Sequence, residues 1–251
     1  MRLKGKVAVV TGAASGFGEA IAIRFAAEGA SVVVADRIAE TAEKLASSLR
    51  LEGHAAISIC VDVTQANAVA RMISTTVETF GRLDIVVNNA GLGQRLGDFH
   101  EVPSDTIDRL FDVNVKCIVH SSREALPHLE KQGGCIINTA SVGALRPRPG
   151  GAWYNASKAA LCNLTQTMAA ELGPKGVRVN AILPVAADTS LLSEVLGGTS
   201  AEQLQHFVSG IPLGRLATPV DIANAALFLA SEEASFLTGV LLPVDGGRAA
   251  A

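Results

Sequence analysis

The sequence predicts a single α/β domain built on a doubly wound parallel β-sheet with helices on both faces. Short runs rich in β-branched residues alternate with longer helical patterns along the chain, which is typical of parallel strands joined by crossover helices. Hydrophobic residues make up 49% of the chain and charged residues 18%, as a large buried sheet requires. Only 4% of residues are aromatic, so small branched side chains must build the core, and these suit a sheet covered on both faces.

The amino-terminal half predicts four strands and three helices. The strands are short β-branched runs that end at turn residues, and they are expected at 6–10, 31–35, 55–61 and 83–87. The helices have apolar residues at helical spacing, as Ile21 and Phe25 illustrate in the first of them, and they are expected at 15–28, 38–52 and 65–80.

The carboxyl-terminal half continues the same alternation. We expect a long helix at 104–130, a strand at 135–139, a helix at 152–172, a strand at 177–183, a helix at 219–229 and a strand at 240–244. A less regular segment, 190–216, interrupts this order. No linker, repeat or low-complexity tract divides the chain, so residues 1–251 are expected to form one domain.

Charge and cysteine usage exclude several classes of function. The net charge is −3 and the isoelectric point about 6.0, without a basic block that would bind nucleic acid. The first apolar stretch ends at Thr11, too early for a signal peptide or a membrane span, which predicts a cytoplasmic protein. No pair of cysteines has CxxC spacing, and we expect buried, reduced thiols at Cys60, Cys117, Cys135 and Cys162. The histidines are scattered, so no metal site is predicted.

A glycine-rich turn follows the first strand. Gly12, Gly16 and Gly18 allow a tight turn and a close approach of main-chain N–H groups to a pyrophosphate at the start of the first helix. Ser15 and Phe17 lie within the same turn. The spacing is GxxxGxG and not GxGxxG, and a purely structural turn between strand and helix is the alternative.

Acidic and amide side chains follow the next three strands. Asp36 ends the second strand, where a carboxylate can accept hydrogen bonds from the adenosine ribose and repel the 2′-phosphate of NADP. Arg37 beside it could accommodate that phosphate. We therefore expect NAD(H) as the preferred cofactor because of Asp36, and NADP(H) stays open because of Arg37. The other residues that we expect in the same groove are Asp62, Val63, Asn89, Ala90 and Gly91.

A serine, a tyrosine and a lysine follow the fifth strand. Tyr154 and Lys158 are four residues apart and therefore share one face of the predicted helix, and Ser141 lies just after the strand. A ketone reduction needs a proton donor as the hydride arrives, and a neighbouring ammonium group favours the phenolate of tyrosine. Ser141 can hydrogen-bond the substrate oxygen. Without the other motifs, a tyrosine and a lysine at this spacing would indicate only two exposed side chains on one face of a helix.

Together, in order and at these spacings, these motifs resemble the short-chain dehydrogenase/reductase family over essentially the whole chain. The resemblance implies a Rossmann-like fold, with Tyr154 as the acid–base and Ser141 as the residue that polarises the substrate oxygen. It implies that Lys158 binds the nicotinamide ribose and lowers the pKa of Tyr154, and that Asn114 holds a proton-relaying water. It also places Pro184 and Thr189 at the nicotinamide end of the cofactor.

The family further implies a homotetramer that uses the helix at 219–229 and the strand at 240–244 in one interface. The chain departs from the family at Val185, where glycine is usual after the proline. A branched side chain at this position narrows the site or shifts the loop, and we interpret it as a determinant of substrate specificity.

Substrate-binding residues are expected in the loops after the fourth, fifth and sixth strands. The candidates are Gln94, Arg95, Val142, Gly143, Arg146, Arg148, Leu191 and Leu192, with a substrate lid at about 190–212. The arginines could bind a carboxylate or phosphate, or they could be solvated or paired with acids.

The main functional prediction is an NAD(H)-dependent enzyme that interconverts a small secondary alcohol and a ketone. A 3-ketoacyl thioester reductase is the alternative, because its members share the same motifs. Those reductases mostly prefer NADPH, and Asp36 therefore favours the main prediction. A non-catalytic NAD(H)-sensing protein is a third reading, but such a protein would be expected to have lost Tyr154 or Lys158.

Overall fold

Seven parallel strands form one sheet in the order β3-β2-β1-β4-β5-β6-β7. The computed structural model describes residues 1–187, 192, 195 and 200–251. The strands are β1 (Val7–Thr11), β2 (Ser31–Asp36), β3 (Ala56–Cys60), β4 (Ile85–Asn88), β5 (Cys135–Thr139), β6 (Arg178–Pro184) and β7 (Leu241–Val244). The doubly wound parallel sheet predicted from the sequence is confirmed.

Helices cover both faces of the sheet. They are α1 (Gly16–Ala27), α2 (Ala39–Leu51), α3 (Ala66–Phe80), α4 (Ser104–Phe111), α5 (Cys117–Gln132), α6 (Ala152–Leu172), α7 (Ala201–Ser209) and α8 (Pro219–Ala230). One core cluster joins α1, α2 and α8 to the sheet, and a second lies under α3, α5 and the end of α6. In the described part of the chain, no helix is both long enough and apolar enough to cross a membrane.

The strand order reverses beside β1, and this reversal determines where a ligand can bind. β1 pairs with β2 on one side and with β4 on the other, so that Val9 aligns with both Val33 and Val86. The chain leaves these central strands toward opposite faces of the sheet, which opens a crevice beyond their carboxyl ends. The residues after β1, β4 and β5 therefore meet at one edge.

The predicted helix at 104–130 is present as an unbroken helical stretch, but it contains a turn that the sequence pattern does not predict. A π-helical turn, Asp112–Lys116, separates α4 from α5, and Asn114 in this turn is buried. A π turn accommodates one additional residue and changes the direction in which its side chains point. The hydrophobic pattern on either side is helical, so it does not reveal the turn.

Two further predictions need correction. The segment 190–216 was expected to be irregular, but it contains the helix α7. Cys60 is exposed because it ends the edge strand β3, whereas the other three cysteines are buried as expected. Thr189 and Leu191, which the sequence predicts as site residues, lie outside the described residues.

Candidate active site

The turn after β1 is built so that only glycine fits at its centre. Gly12 and Gly16 have φ angles of 62° and 57°, in the left-handed region that glycine tolerates best. A Cβ atom on Gly18 would lie 2.1 Å from the main-chain oxygen of Gly12. The Ser15 side chain makes no capping hydrogen bond at the start of α1. The first N–H groups of the helix therefore have no side-chain cap, which is the arrangement that binds a pyrophosphate at a helix N-terminus.

Asp36 connects this turn to the end of β2. Its carboxylate accepts a hydrogen bond from Ala14 N at 3.0 Å and another from Ile38 N at 3.1 Å. Each oxygen retains a second acceptor position, so the carboxylate can still bind hydroxyl groups. Arg37 beside it is exposed.

Asp62 lies exposed beyond β3, followed by the half-buried Val63. The side chain and main chain of Thr64 donate hydrogen bonds to the Asp62 carboxylate, and these bonds lower its pKa.

Asn89 joins the loop after β4 to the glycine turn. Its amide nitrogen donates to Thr11 O at 3.0 Å and to Gly12 O at 3.2 Å. The Thr11 hydroxyl accepts hydrogen bonds from the main-chain nitrogens of Asn89 and Ala90. A Cβ atom on Gly91, the next residue, would lie 3.3 Å from Lys158 Nζ. The two loops thus form one continuous wall of the crevice.

Ser141, Tyr154 and Lys158 meet at the carboxyl end of β5. Ser141 caps a short 3₁₀ turn, and its oxygen accepts a hydrogen bond from Gly143 N at 3.1 Å. Because this bond uses a lone pair, the hydroxyl proton of Ser141 can still be donated to the Tyr154 phenol oxygen or to a substrate oxygen. Tyr154 lies in the first turn of α6, and Lys158 one turn later has its Nζ atom 5.9 Å from the centre of the tyrosine ring.

Burial acts on both ionisable groups of this set. It raises the pKa of Tyr154, and a hydrogen bond with Ser141 opposes this effect. Burial lowers the pKa of Lys158 to about 8. The Lys158 ammonium donates to Thr139 O at 2.8 Å and forms no ion pair with a carboxylate of the described residues. Its charge is therefore available to a phenolate at Tyr154.

Asn114 is held firmly within the π turn. Its amide oxygen accepts from Leu92 N at 2.8 Å, and its amide nitrogen donates to Leu92 O and to Ser157 Oγ, both at 3.0 Å. A Cβ atom on Gly91 would lie 3.3 Å from the Asn114 amide oxygen, the same distance as from Lys158 Nζ. Asn114 and Lys158 therefore both lie beside Gly91.

Gln94 has a position that the sequence did not suggest. It is buried, and its amide oxygen accepts hydrogen bonds from Trp153 N and Tyr154 N, both at 2.9 Å. Its amide nitrogen donates to Gly150 O at 3.1 Å. The N-cap residue of α6 is Gly151, which has no side chain. Gln94, from another loop, thus caps the N-terminus of α6. The only sign in the sequence that this helix needs an external cap is the glycine at its N-cap position.

The remaining candidates on the substrate side fall into two groups. Val142 and Val185 are buried together with Ile211, and these residues form an apolar wall beside Ser141. Leu192 is also buried. By contrast, Arg95 and Arg146 are exposed.

Arg95 lines an open hollow of about 290 Å³ between the loop after β4 and the start of α4. This hollow is also lined by Gln94, and its other walls come from residues 96–98, 101–103 and 106.

Known proteins resemble the chain over its full length. A family model described as enoyl-(acyl carrier protein) reductase matches residues 12–249. The chain is 45% identical to a 4-formylbenzenesulfonate dehydrogenase of Comamonas testosteroni, with 99% of each protein covered. It is 43% identical to a meso-2,3-butanediol dehydrogenase of Serratia marcescens, with 100% of this chain and 97% of that protein covered.

A solved structure shows the same likeness. A 3-ketoacyl-(acyl-carrier-protein) reductase from Brucella melitensis complexed with NADH superposes with a TM-score of 0.92 and 42% sequence identity. The match covers 98% of this chain and 99% of that one.

The lowered pKa of Lys158 predicts a pH-dependent stability. In the folded chain the pKa is about 8, against an ordinary value of 10.5, so at intermediate pH the unfolded chain binds the proton more strongly. Below pH 8 the buried ammonium group lowers the free energy of unfolding of wild type by its full amount. This destabilisation disappears as the pH rises toward 10.5.

We expect the Tm of wild type, relative to that of Lys158→Met, to rise between about pH 7 and about pH 10. Thermal unfolding of both proteins at the two pH values measures this difference. The exposed Lys131→Met serves as the control and should show no such trend. A pH-independent difference for Lys158→Met would contradict the assignment.

Proposed function

Because the chain belongs to the short-chain dehydrogenase/reductase family, we propose that it interconverts a secondary alcohol and a ketone with NAD(H), and that Tyr154 is its acid–base group. The observation that carries the residue assignment is the convergence of Ser141, Tyr154 and Lys158 at the end of β5, beside the glycine turn. When bound, the nicotinamide cofactor supplies or accepts the hydride.

In the reducing direction, Tyr154 gives its phenolic proton to the carbonyl oxygen as the carbon becomes an alcohol carbon. Ser141 donates a hydrogen bond from its hydroxyl group to the same oxygen and stabilises the developing negative charge. Lys158 stabilises the phenolate that remains, which counteracts the burial that raises the pKa of Tyr154. Oxidation of the alcohol reverses these steps.

Asn114 orients the loop after β4 beside Lys158, and a water molecule held near its amide would return the proton to Tyr154 through the lysine. The glycines Gly12, Gly16 and Gly18, with Ser15 and Phe17, would contact the pyrophosphate. Val63, Asn89, Ala90 and Gly91 would line the adenosine side, and Pro184 and Val185 the nicotinamide side.

The preference for NAD(H) over NADP(H) rests on Asp36. Its carboxylate is fixed by two main-chain N–H groups at the rim of the crevice and retains acceptor positions for the ribose hydroxyls. The same negative charge would repel a 2′-phosphate. Arg37 is exposed beside it and makes the preference less than absolute.

The substrate is proposed to be a small carbonyl compound held against the apolar wall of Val142, Val185 and Ile211. Two relatives are named for a formylbenzenesulfonate and for butanediol, so compact substrates are consistent with this wall. The second candidate is reduction of a 3-ketoacyl thioester, which the likeness to the Brucella melitensis reductase favours. A cytoplasmic location remains a prediction of the sequence.

We also propose a homotetramer with one interface on the face of α8 and β7. β7 is an edge strand, Val220 on α8 is exposed, and Phe236 before β7 is completely exposed. Apolar groups of this size next to an open sheet edge are usually covered.

Phe236→Asp should dissociate the assembly, whereas Leu51→Asp, at an exposed position on α2, should not. Light scattering after gel filtration measures the mass, and a monomeric wild type would contradict the proposal.

A carbonyl panel with both cofactors tests the proposed function. We expect NADH-dependent reduction of small ketones, and Tyr154→Phe should lower kcat by about 10²- to 10⁴-fold because the proton donor is lost. Asp36→Ser should shift the ratio of kcat/KM values toward NADPH by about ten- to a hundredfold, since one charged contact is removed. Turnover mainly of a 3-ketoacyl thioester with NADPH would instead favour the second candidate.

Gln94 is expected to position Tyr154 and not to contact the substrate. Gln94→Ala removes the cap of α6, and a displacement of the phenol should lower kcat by about 10²-fold while KM for NADH stays unchanged. Gln94→Glu keeps the oxygen that accepts from Trp153 N and Tyr154 N, so it should retain more activity than Gln94→Ala.

Steady-state kinetics of both variants measure these effects. Gln132→Ala, at an exposed position that ends α5, is the matched control. Equal losses in Gln94→Ala and Gln94→Glu, or an unchanged kcat in Gln94→Ala, would refute the positioning role.

A further inference from the structure

Two arginines from distant parts of the chain lie side by side near the apolar wall. Arg148 belongs to the loop between β5 and α6, and Arg248 to the turn that follows β7. A Cβ atom on Gly210 would lie 3.3 Å from Arg148 Nη2 and 3.5 Å from Arg248 Nε. Both side chains are half-buried. Two cations therefore approach one point from different loops.

Neither cation has an acidic partner among the described residues. Five other arginines do form ion pairs with carboxylates: Arg2, Arg24, Arg50, Arg82 and Arg215. The carboxylate of Asp245, close to Arg248 in sequence, accepts hydrogen bonds from Gly247 N and Ala249 N instead. Burial and the charge of Arg248 lower the pKa of Arg148. Such a pair lacks the negative charge that would compensate it.

The pair is held in place and is not free in solvent. The Arg148 guanidinium carbon lies 4.3 Å from the centre of the Phe207 ring, within the range of a cation–π contact. The main-chain oxygen of Arg148 accepts a hydrogen bond from the Asn155 side chain at 3.1 Å. The two hydrogen bonds to Asp245 fix the turn that carries Arg248. A preorganised pair loses little side-chain entropy when it binds a ligand.

The pair borders the wall against which the substrate is proposed to lie. Ile211 follows Gly210 and packs in one apolar cluster with Val142 and Val185. Arg148 stands in the chain between Ser141 and Tyr154, and its main chain is bonded to Asn155, the neighbour of Tyr154. The arginines are thus connected through the wall to the end of β5 where the carbonyl would react.

We propose that Arg148 and Arg248 together bind an anionic group, a carboxylate or a sulfonate, at the end of the substrate that is remote from the reacting carbonyl. This inference rests on the proposed function and adds the charge of the substrate to it. Two guanidinium groups can bind the oxygens of one such group with several charge-assisted hydrogen bonds. Anchoring the remote end orients the carbonyl toward Tyr154.

The binding of benzoate and of its uncharged analogue benzamide tests the pair without any turnover. Isothermal titration should show benzoate affinity falling about ten- to a hundredfold in Arg148→Met and in Arg248→Met, while benzamide binding is unchanged. Methionine at position 148 keeps an apolar stem against Phe207. Arg148→Lys should give an intermediate affinity, because it keeps the charge and loses the bidentate geometry.

Arg71→Met, which removes one exposed charge from α3, is the matched control and should bind benzoate like wild type. Absence of benzoate binding in wild type, or equal benzoate affinity in wild type and both variants, overturns the proposal.

Competition with a ketone connects the pair to the reaction. Benzoate should inhibit ketone reduction competitively with the ketone in wild type, and the inhibition should weaken in both arginine variants in proportion to the lost affinity. Benzoate that binds without competing would overturn the substrate subsite and leave the proposed function intact. Absence of carbonyl turnover together with intact benzoate binding would defeat the proposed function and retain an anion site.

Two other partners of the arginines would give different results. If both variants lose binding of an acyl carrier protein but bind benzoate like wild type, the pair is a docking site for a carrier protein and the proposal is wrong. If either variant changes the oligomeric mass, an acid of a neighbouring subunit neutralises the pair and the proposal is wrong as well.

Discussion

The arrangement of the site depends on side-chain amides that bond to the main chain of a neighbouring loop. Asn89 bonds to the glycine turn, Asn114 to Leu92, and Gln94 to the start of α6. Loops at the carboxyl edge of a parallel sheet do not pair with one another as strands do, yet their half-buried N–H and C=O groups still need partners. An amide offers both a donor and an acceptor, so a single side chain can fix two loops at once.

A second polar network lies beneath this layer, within the core. Asn88 donates to Asn138, Asn138 donates to Thr165, and Ser121 donates to Asn88, with distances between 2.7 and 2.9 Å. These residues connect β4, β5, α5 and α6, and all four are buried. The network therefore fixes the position of α5, which follows the turn that contains Asn114, relative to α6, which carries Tyr154.

The sequence predicted most of the fold and the central residues of the site because these depend on local patterns. Strands and helices follow from hydrophobic periodicity, and Ser141, Tyr154 and Lys158 meet because one strand end and one helix face bring them together. The π turn at 112–116 was missed because the surrounding periodicity is that of an ordinary helix. The bonds of Gln94 to α6 and the proximity of Arg148 to Arg248 are contacts between distant loops, and no local pattern encodes them.

Trp153 and Tyr154 are the only tryptophan and the only tyrosine of the chain, and they are adjacent. Gln94 accepts a hydrogen bond from the main-chain nitrogen of each, and the Trp153 indole donates to Phe99 O at 2.9 Å. All indole fluorescence of the protein therefore originates beside the group that is proposed to transfer the proton. The unmodified chain thus contains a single spectroscopic reporter at this site, whose emission senses the loop after β4 and the start of α6 together.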